Sequence, residues 1–137
     1  MSPELLPAPP RAEGYLNVPV GVTLDRTLRD FDHGLYVNLL RLRHNETFVA
    51  VEIDELREAQ RYKERRPSAK RIEASLRLLI EQQWIIPSLS VHGGKRMYRV
   101  TGGTQAKLDA ALAIIEGVKR SQKEPIRVGR RKKKAIQ

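Results

Sequence analysis

Apolar and polar positions change period several times along the chain, and each change marks out an element. From Asp30 onward, Leu35, Tyr36, Leu39, Leu40 and Leu42 recur at helical spacing, with Asp30 or Asp32 as cap and His44-Asn45 as the end. Residues 47–53, TFVAVEI, read as a short strand. Asp54 reads as the N-cap of a second helix, DELREAQRYK, with Leu56, Ala59 and Tyr62 or Lys63 along one side and ERRP breaking it. Ser68 caps a third helix, where Ile72, Leu76, Leu79, Ile80 and Gln83 follow the i, i+4, i+7, i+8, i+11 pattern of a buried face. Pro87 ends that helix after Trp84-Ile85-Ile86. SLSV and RMYRV then flank HGGK, a hairpin signal, because Gly93-Gly94 accept the positive φ of a tight turn. This register sets Val91 opposite Arg96 and Leu89 opposite Tyr98, with Lys95 and Arg96 at the tip. A last helix begins near Thr101 or Thr104 and carries a stripe of Leu108, Ala111, Leu112, Ile115 and Val118. That stripe packs on the first helix in a monomer, or pairs with its copy through residues 104–118 in a homodimer, the reading its length and alanine content favour.

The two ends follow neither period. Residues 1–14 hold four prolines and read as a disordered or extended arm. YLNVPVGVTL is β-prone but interrupted by Pro19 and Gly21, an extended lead-in. The expected organisation is therefore an arm (1–14), one domain (15–118) and a disordered basic tail (119–137). The 137 residues, 40% hydrophobic and 31% charged, suit one small domain with a modest core.

Charge adds a partner class to this outline. Lysine and arginine number 26 against 16 acids, a formal net charge of +10, which favours an anionic partner such as nucleic acid or an anionic membrane. From Lys119 to Gln137 nine basic residues face one acid, Glu124. Between Arg57 and Arg77 eight basic residues face three acids. On a helical wheel Lys70, Ala74, Arg77 and Glu81 lie opposite the apolar side of the third helix, with Arg71 at the edge. A slim face with cations in its first turns suits the DNA major groove, although any exposed helix face also carries charges.

The order helix, strand, helix, helix, hairpin, helix is that of a winged helix-turn-helix domain. The expected fold class is mainly α with a β-hairpin wing and an appended C-terminal helix. The segments VPVGVTLDRTLRDFDHGLYVNLLRLRHNETFVAVEIDELREAQ and SAKRIEASLRLLIEQQWII resemble the winged helix-turn-helix domains of phage and plasmid replication proteins. Ser68, Lys70, Ile72, Leu76, Leu79 and Ile85 occupy the positions of that pattern. GGKRMYRVTGGTQAKLDAAL is similar to the wing and trailing helix of PadR-like and MarR-like repressors. The likeness covers about residues 17–118, with two departures. RYKERRP is longer and more basic than the usual turn and lacks its glycine, and Trp84 stands where glycine is common, which lets the helix run on slightly.

The function this implies is sequence-specific binding of double-stranded DNA, in transcriptional regulation or in replication or mobile-element recognition. Ser68, Lys70, Arg71, Ala74 and Arg77 would face the major groove. Arg61, Lys63, Arg65 and Arg66 would neutralise phosphates, and Lys95 and Arg96 would touch the flanking minor groove or backbone. Arg130, Arg131, Lys132, Lys133 and Lys134 would form a phosphate-tracking arm, with RNA as a rival ligand. The alternative is an adaptor in a nucleoprotein complex, with a winged domain that docks on protein and a tail that grips nucleic acid non-specifically.

Catalysis is not expected. There is no cysteine, His33, His44 and His92 lack metal-ligand spacing, and Glu52, Asp54 and Glu55 are explained by helix capping. Gly93-Gly94 and Gly102-Gly103 lack phosphate-loop spacing. Aromatics are 5% of the chain and none is placed as a stacking platform. No cofactor, metal or membrane partner is expected. Without a secretory pattern in MSPELLPAPP, a cytoplasmic, nucleoid-associated location is expected.

Overall fold

One strand, β4 (Lys95–Thr104), pairs antiparallel with every other strand described: β1 (Leu5–Pro7), β2 (Phe48–Val51) and β3 (Ile85–His92). The computed structural model describes residues 5–10 and 16–123. Five helices complete it: α1 (Val20–Thr23), α2 (Asp30–Arg41), α3 (Ile53–Ala59), α4 (Ala69–Glu81) and α5 (Gln105–Lys123). The class is therefore mixed α/β, because the expected hairpin forms only half of a four-stranded sheet.

α2, α3 and α4 begin where polar side chains satisfy free N–H groups. Asp32 accepts from the Arg29 N–H at 3.0 Å, Glu55 from the Glu52 N–H at 3.0 Å, and the Ser68 hydroxyl from the Arg71 N–H at 3.1 Å. The cap of α3 is thus Glu52 rather than Asp54, which lies in the first turn. α3 also stops at Ala59, leaving Tyr62 and Lys63 outside the helix. α4 stops at Glu81: Gln83 takes a positive φ of 65°, and the Trp84 N–H donates to the Leu79 carbonyl at 2.9 Å. That left-handed closure, and not Pro87, ends the helix. Pro87 instead lies inside β3, a strand that pairs only with β4, so its missing N–H costs no ladder bond on the other side.

Gly93 and Gly94 hold φ of 59° and 79°, the conformation a two-residue hairpin turn demands. Val91 pairs with Arg96 as expected, but the register shifts between Pro87 and Val91, so Tyr98 faces Pro87 and not Leu89. Leu89 is left fully exposed.

Leu35, Tyr36 and Leu39 of α2, Val49 and Val51 of β2, Leu56 of α3, and Ile72, Leu76 and Leu79 of α4 join Trp84, Ile85, Tyr98 and Val100 in one buried cluster. Each such side chain contributes roughly 1.5–3 kcal/mol through loss of apolar surface to water. Leu42, counted in the α2 stripe, is exposed instead.

The chain ends differ from the sequence reading. β1 pairs with β4, and the Arg43 guanidinium donates to the Pro9 carbonyl at 2.8 Å, so this part of the arm is tied to the body and not disordered. The lead-in contains helix α1, and α5 packs on α1 and β4 rather than on α2. α5 continues through Lys119–Lys123, so the basic segment begins as helix.

Beneath α5 the Asp25 carboxylate accepts from Trp84 Nε1 at 2.8 Å, Thr27 Oγ1 at 2.6 Å and Lys107 Nζ at 2.7 Å. Burial alone would raise its pKa, but bonds from Lys107, Thr27 and Trp84 outweigh that and hold it at about 2. A folded pKa below the unfolded one gives stability that is present above about pH 4 and lost as pH falls toward 2. The expected loss is about 2 kcal/mol. Asp25→Asn is expected to flatten that acid limb in urea titrations between about pH 4 and 2. An unchanged limb would mean that other carboxylates carry it.

Candidate nucleic-acid interface

α4 is amphipathic in the sense the sequence requires. Ile72, Ser75, Leu76 and Leu79 are buried, and Ser75 donates to the buried Asp32 carboxylate on α2, fixing how α4 rolls on that helix. The opposite side leaves Lys70, Ala74, Arg77 and Glu81 exposed. Lys70 and Arg77 are seven positions apart, roughly 10 Å along one face.

The other expected contacts are distributed less simply. Ser68 spends its hydroxyl on the cap. Arg71 lies over the Phe31 ring at 4.2 Å, a cation–π contact that turns it toward α2. In the 61–66 turn, Tyr62 and Arg65 exchange two backbone hydrogen bonds of 2.9 and 3.1 Å, and Lys63 supplies the positive φ of 59° in place of a glycine. Arg61 pairs with Glu58 at 3.2 Å and donates to the Lys63 carbonyl at 2.9 Å, while Arg66 reaches Glu58 at 3.8 Å. Tyr62 is 74% exposed among these cations, with Lys63 Nζ 5.5 Å from its ring centroid.

The hairpin departs furthest. Val51 of β2 pairs with Arg96, so β4 is backed by a neighbour almost to its turn and little of the hairpin stands free. Lys95 Nζ lies 2.8 Å from Glu55 Oε1 on α3. Arg96 donates to both Glu73 oxygens on α4, at 2.6 and 3.1 Å. Neither cation is a free tip charge: Lys95 is paired with Glu55 and Arg96 with Glu73. The Lys95 bond holds Glu55 below the ordinary carboxylate range, and the Arg96 bond does the same for Glu73.

The structure therefore brings Lys70, Ala74 and Arg77 together on one open face, with the Glu73–Arg96 pair on its flank and the basic turn before it. Arg130, Arg131, Lys132, Lys133 and Lys134 lie outside the described residues. Sequence reasoning missed Glu73, Tyr62 and the Asp25 network. For Glu73 no local signal exists, since its partner is 23 residues away. For Tyr62 the signal was present, an aromatic among arginines and lysines.

A separate groove of about 520 Å³ runs between α1 and α5, lined by Gly21, Leu24, Arg26, Ala110 and Ile114 among others. Among the described residues no group of three His, Cys, Asp or Glu is placed to hold a metal ion, and no helix is long and apolar enough to cross a membrane. Compared with known proteins, the chain matches no family model, no curated protein and no solved structure.

Proposed function

We propose that the chain is a non-enzymatic, sequence-specific double-stranded DNA-binding protein of the winged helix-turn-helix type, with α4 as its recognition helix. Its role would be transcriptional regulation or DNA recognition in replication or a mobile element. The observation that carries this reading is the exposed face of α4: among the described residues Lys70 and Arg77 have no ion-pair partner, and the slim Ala74 lies between them. Arginine and lysine are the side chains that read guanine O6 and N7 or grip phosphates, and the major groove is wide enough to admit an α-helix. The order α2, β2, α3, α4, β3, β4, with β4 between β2 and β3, supports the winged type.

The adaptor reading draws on a different observation, the groove beside α5 together with exposed Leu112 and Val118 farther along that helix. One experiment separates the two. A chain ending at Lys123 retains β1 and all of α5 while removing the basic residues 124–137. Fluorescence anisotropy of that chain against random duplexes, with the bound fraction sequenced, is expected to show retained binding and an enriched motif. Loss of all binding would place the affinity in the tail and favour the adaptor.

A further inference from the structure

A carboxylate on the flank of a helix meant for DNA needs a reason, because it repels phosphates. Glu73 is that carboxylate, and it is held from outside its own helix. Arg96 on β4 donates to both of its oxygens, and the two side chains remain 51% and 40% exposed for Arg96 and Glu73 respectively. The pair is thus open to a ligand while its orientation is set by two different elements. We propose that Glu73, positioned by Arg96, is an acceptor subsite for the exocyclic N4 amino group of a cytosine in the major groove. The proposal rests on the duplex-DNA reading of α4.

The chemistry follows from counting lone pairs. An ionised carboxylate offers about four acceptor positions, and a bidentate guanidinium fills two of them, so each oxygen keeps one. Glu73 is ionised at neutral pH as any ordinary glutamate is, and the Arg96 bond shifts its pKa further down, so it is an acceptor only. The guanidinium charge offsets repulsion from the DNA backbone, which a lone glutamate on this face would meet in full. Among base edges in the major groove, guanine and the thymine O4 present acceptors that clash with a carboxylate. Cytosine presents a donor, while adenine presents a donor beside an acceptor. Cytosine is therefore the base this subsite prefers. Lys70 and Arg77, three positions before and four after Glu73, lie on the same side of the helix and would contact the neighbouring bases or phosphates.

The test uses the full chain, selection from a random duplex pool, and Glu73→Gln, Glu73→Ala and Arg96→Lys beside the parent. Glutamine keeps the shape but adds a donor, the chemistry that pairs with adenine. The expected result is a parent motif with one cytosine column that becomes adenine in Glu73→Gln, with the other columns intact. Affinity of that variant for the parent site should fall about tenfold. Arg96→Lys should blur the same column, since a point charge replaces the planar fork. If both Glu73 variants keep every column, or strengthen all duplexes equally, the subsite is overturned while the recognition-helix reading stands. If the parent binds no duplex, or enriches no motif, the recognition-helix reading itself fails and takes the subsite with it.

Discussion

Gly103→Ala is expected to destabilise the folded chain by about 2–5 kcal/mol, a large share of the roughly 5–15 kcal/mol that small domains possess. A Cβ at this position would lie 2.5 Å from Cζ3 and 2.6 Å from Cη2 of Trp84, and the backbone there has φ of 85°. The indole has nowhere to go. A Cβ on Gly21 would meet its Cη2 at 3.2 Å, the Tyr36 ring stands against it at 5.5 Å, and its Nε1–H is bound to Asp25. Overfilling such a site costs about 1–3 kcal/mol, and the left-handed backbone adds about 1–2 kcal/mol for any residue with a Cβ. Gly94→Ala separates the two costs, because it has a φ of 79° with nothing within 4 Å of the added carbon. Urea unfolding followed by fluorescence of Trp84, the single tryptophan, reads both variants. Equal midpoints for the two would mean that the indole yields and the clash is absent.

The same indole shows why only part of this fold is legible in the sequence. Ser68, Ile72, Leu76 and Leu79 announce α4, and Gly93-Gly94 announce the hairpin, because caps, helical periods and tight turns depend on neighbours within about one turn. Trp84 was legible only as an apolar residue near a helix end; that Gly21, Asp25, Gly103 and Lys107 surround it depends on chain segments far apart in sequence. The hairpin cations show the same limit. Their positions beside the turn were correct, yet their charges are engaged by Glu55 and Glu73 on two helices. Periodicity says which side of an element is buried and not what lies against it. On α5 the expected stripe is only partly covered: Ala111 is buried, Leu112 and Val118 are exposed, and the helix packs on α1 and β4 rather than on α2. The register of β3 was lost for a related reason: an irregularity between Pro87 and Val91 leaves no mark in the alternation of residue types.

On the proposed reading of α4 as a recognition helix, its exposed face carries the largest functional consequence. Lys70→Ala and Arg77→Ala are each expected to weaken binding of the preferred duplex by about 1–3 kcal/mol. Lying roughly 10 Å apart, they should be nearly additive in the double variant. The kind of loss distinguishes two roles. A side chain that reads a base should cost affinity on the preferred site and little on random duplexes. One that grips a phosphate should cost affinity on all duplexes and lower the slope of log K against log salt by roughly one. Arg61→Ala provides the contrast, because its guanidinium is already committed to Glu58 and to the Lys63 carbonyl and should cost less. Stability should change little in any of these, since every side chain removed is exposed. If the double variant binds every duplex as the parent does, at every salt concentration, α4 is not the element that meets DNA. The affinity would then reside elsewhere in the basic chain, and the groove beside α5 would become the surface to pursue.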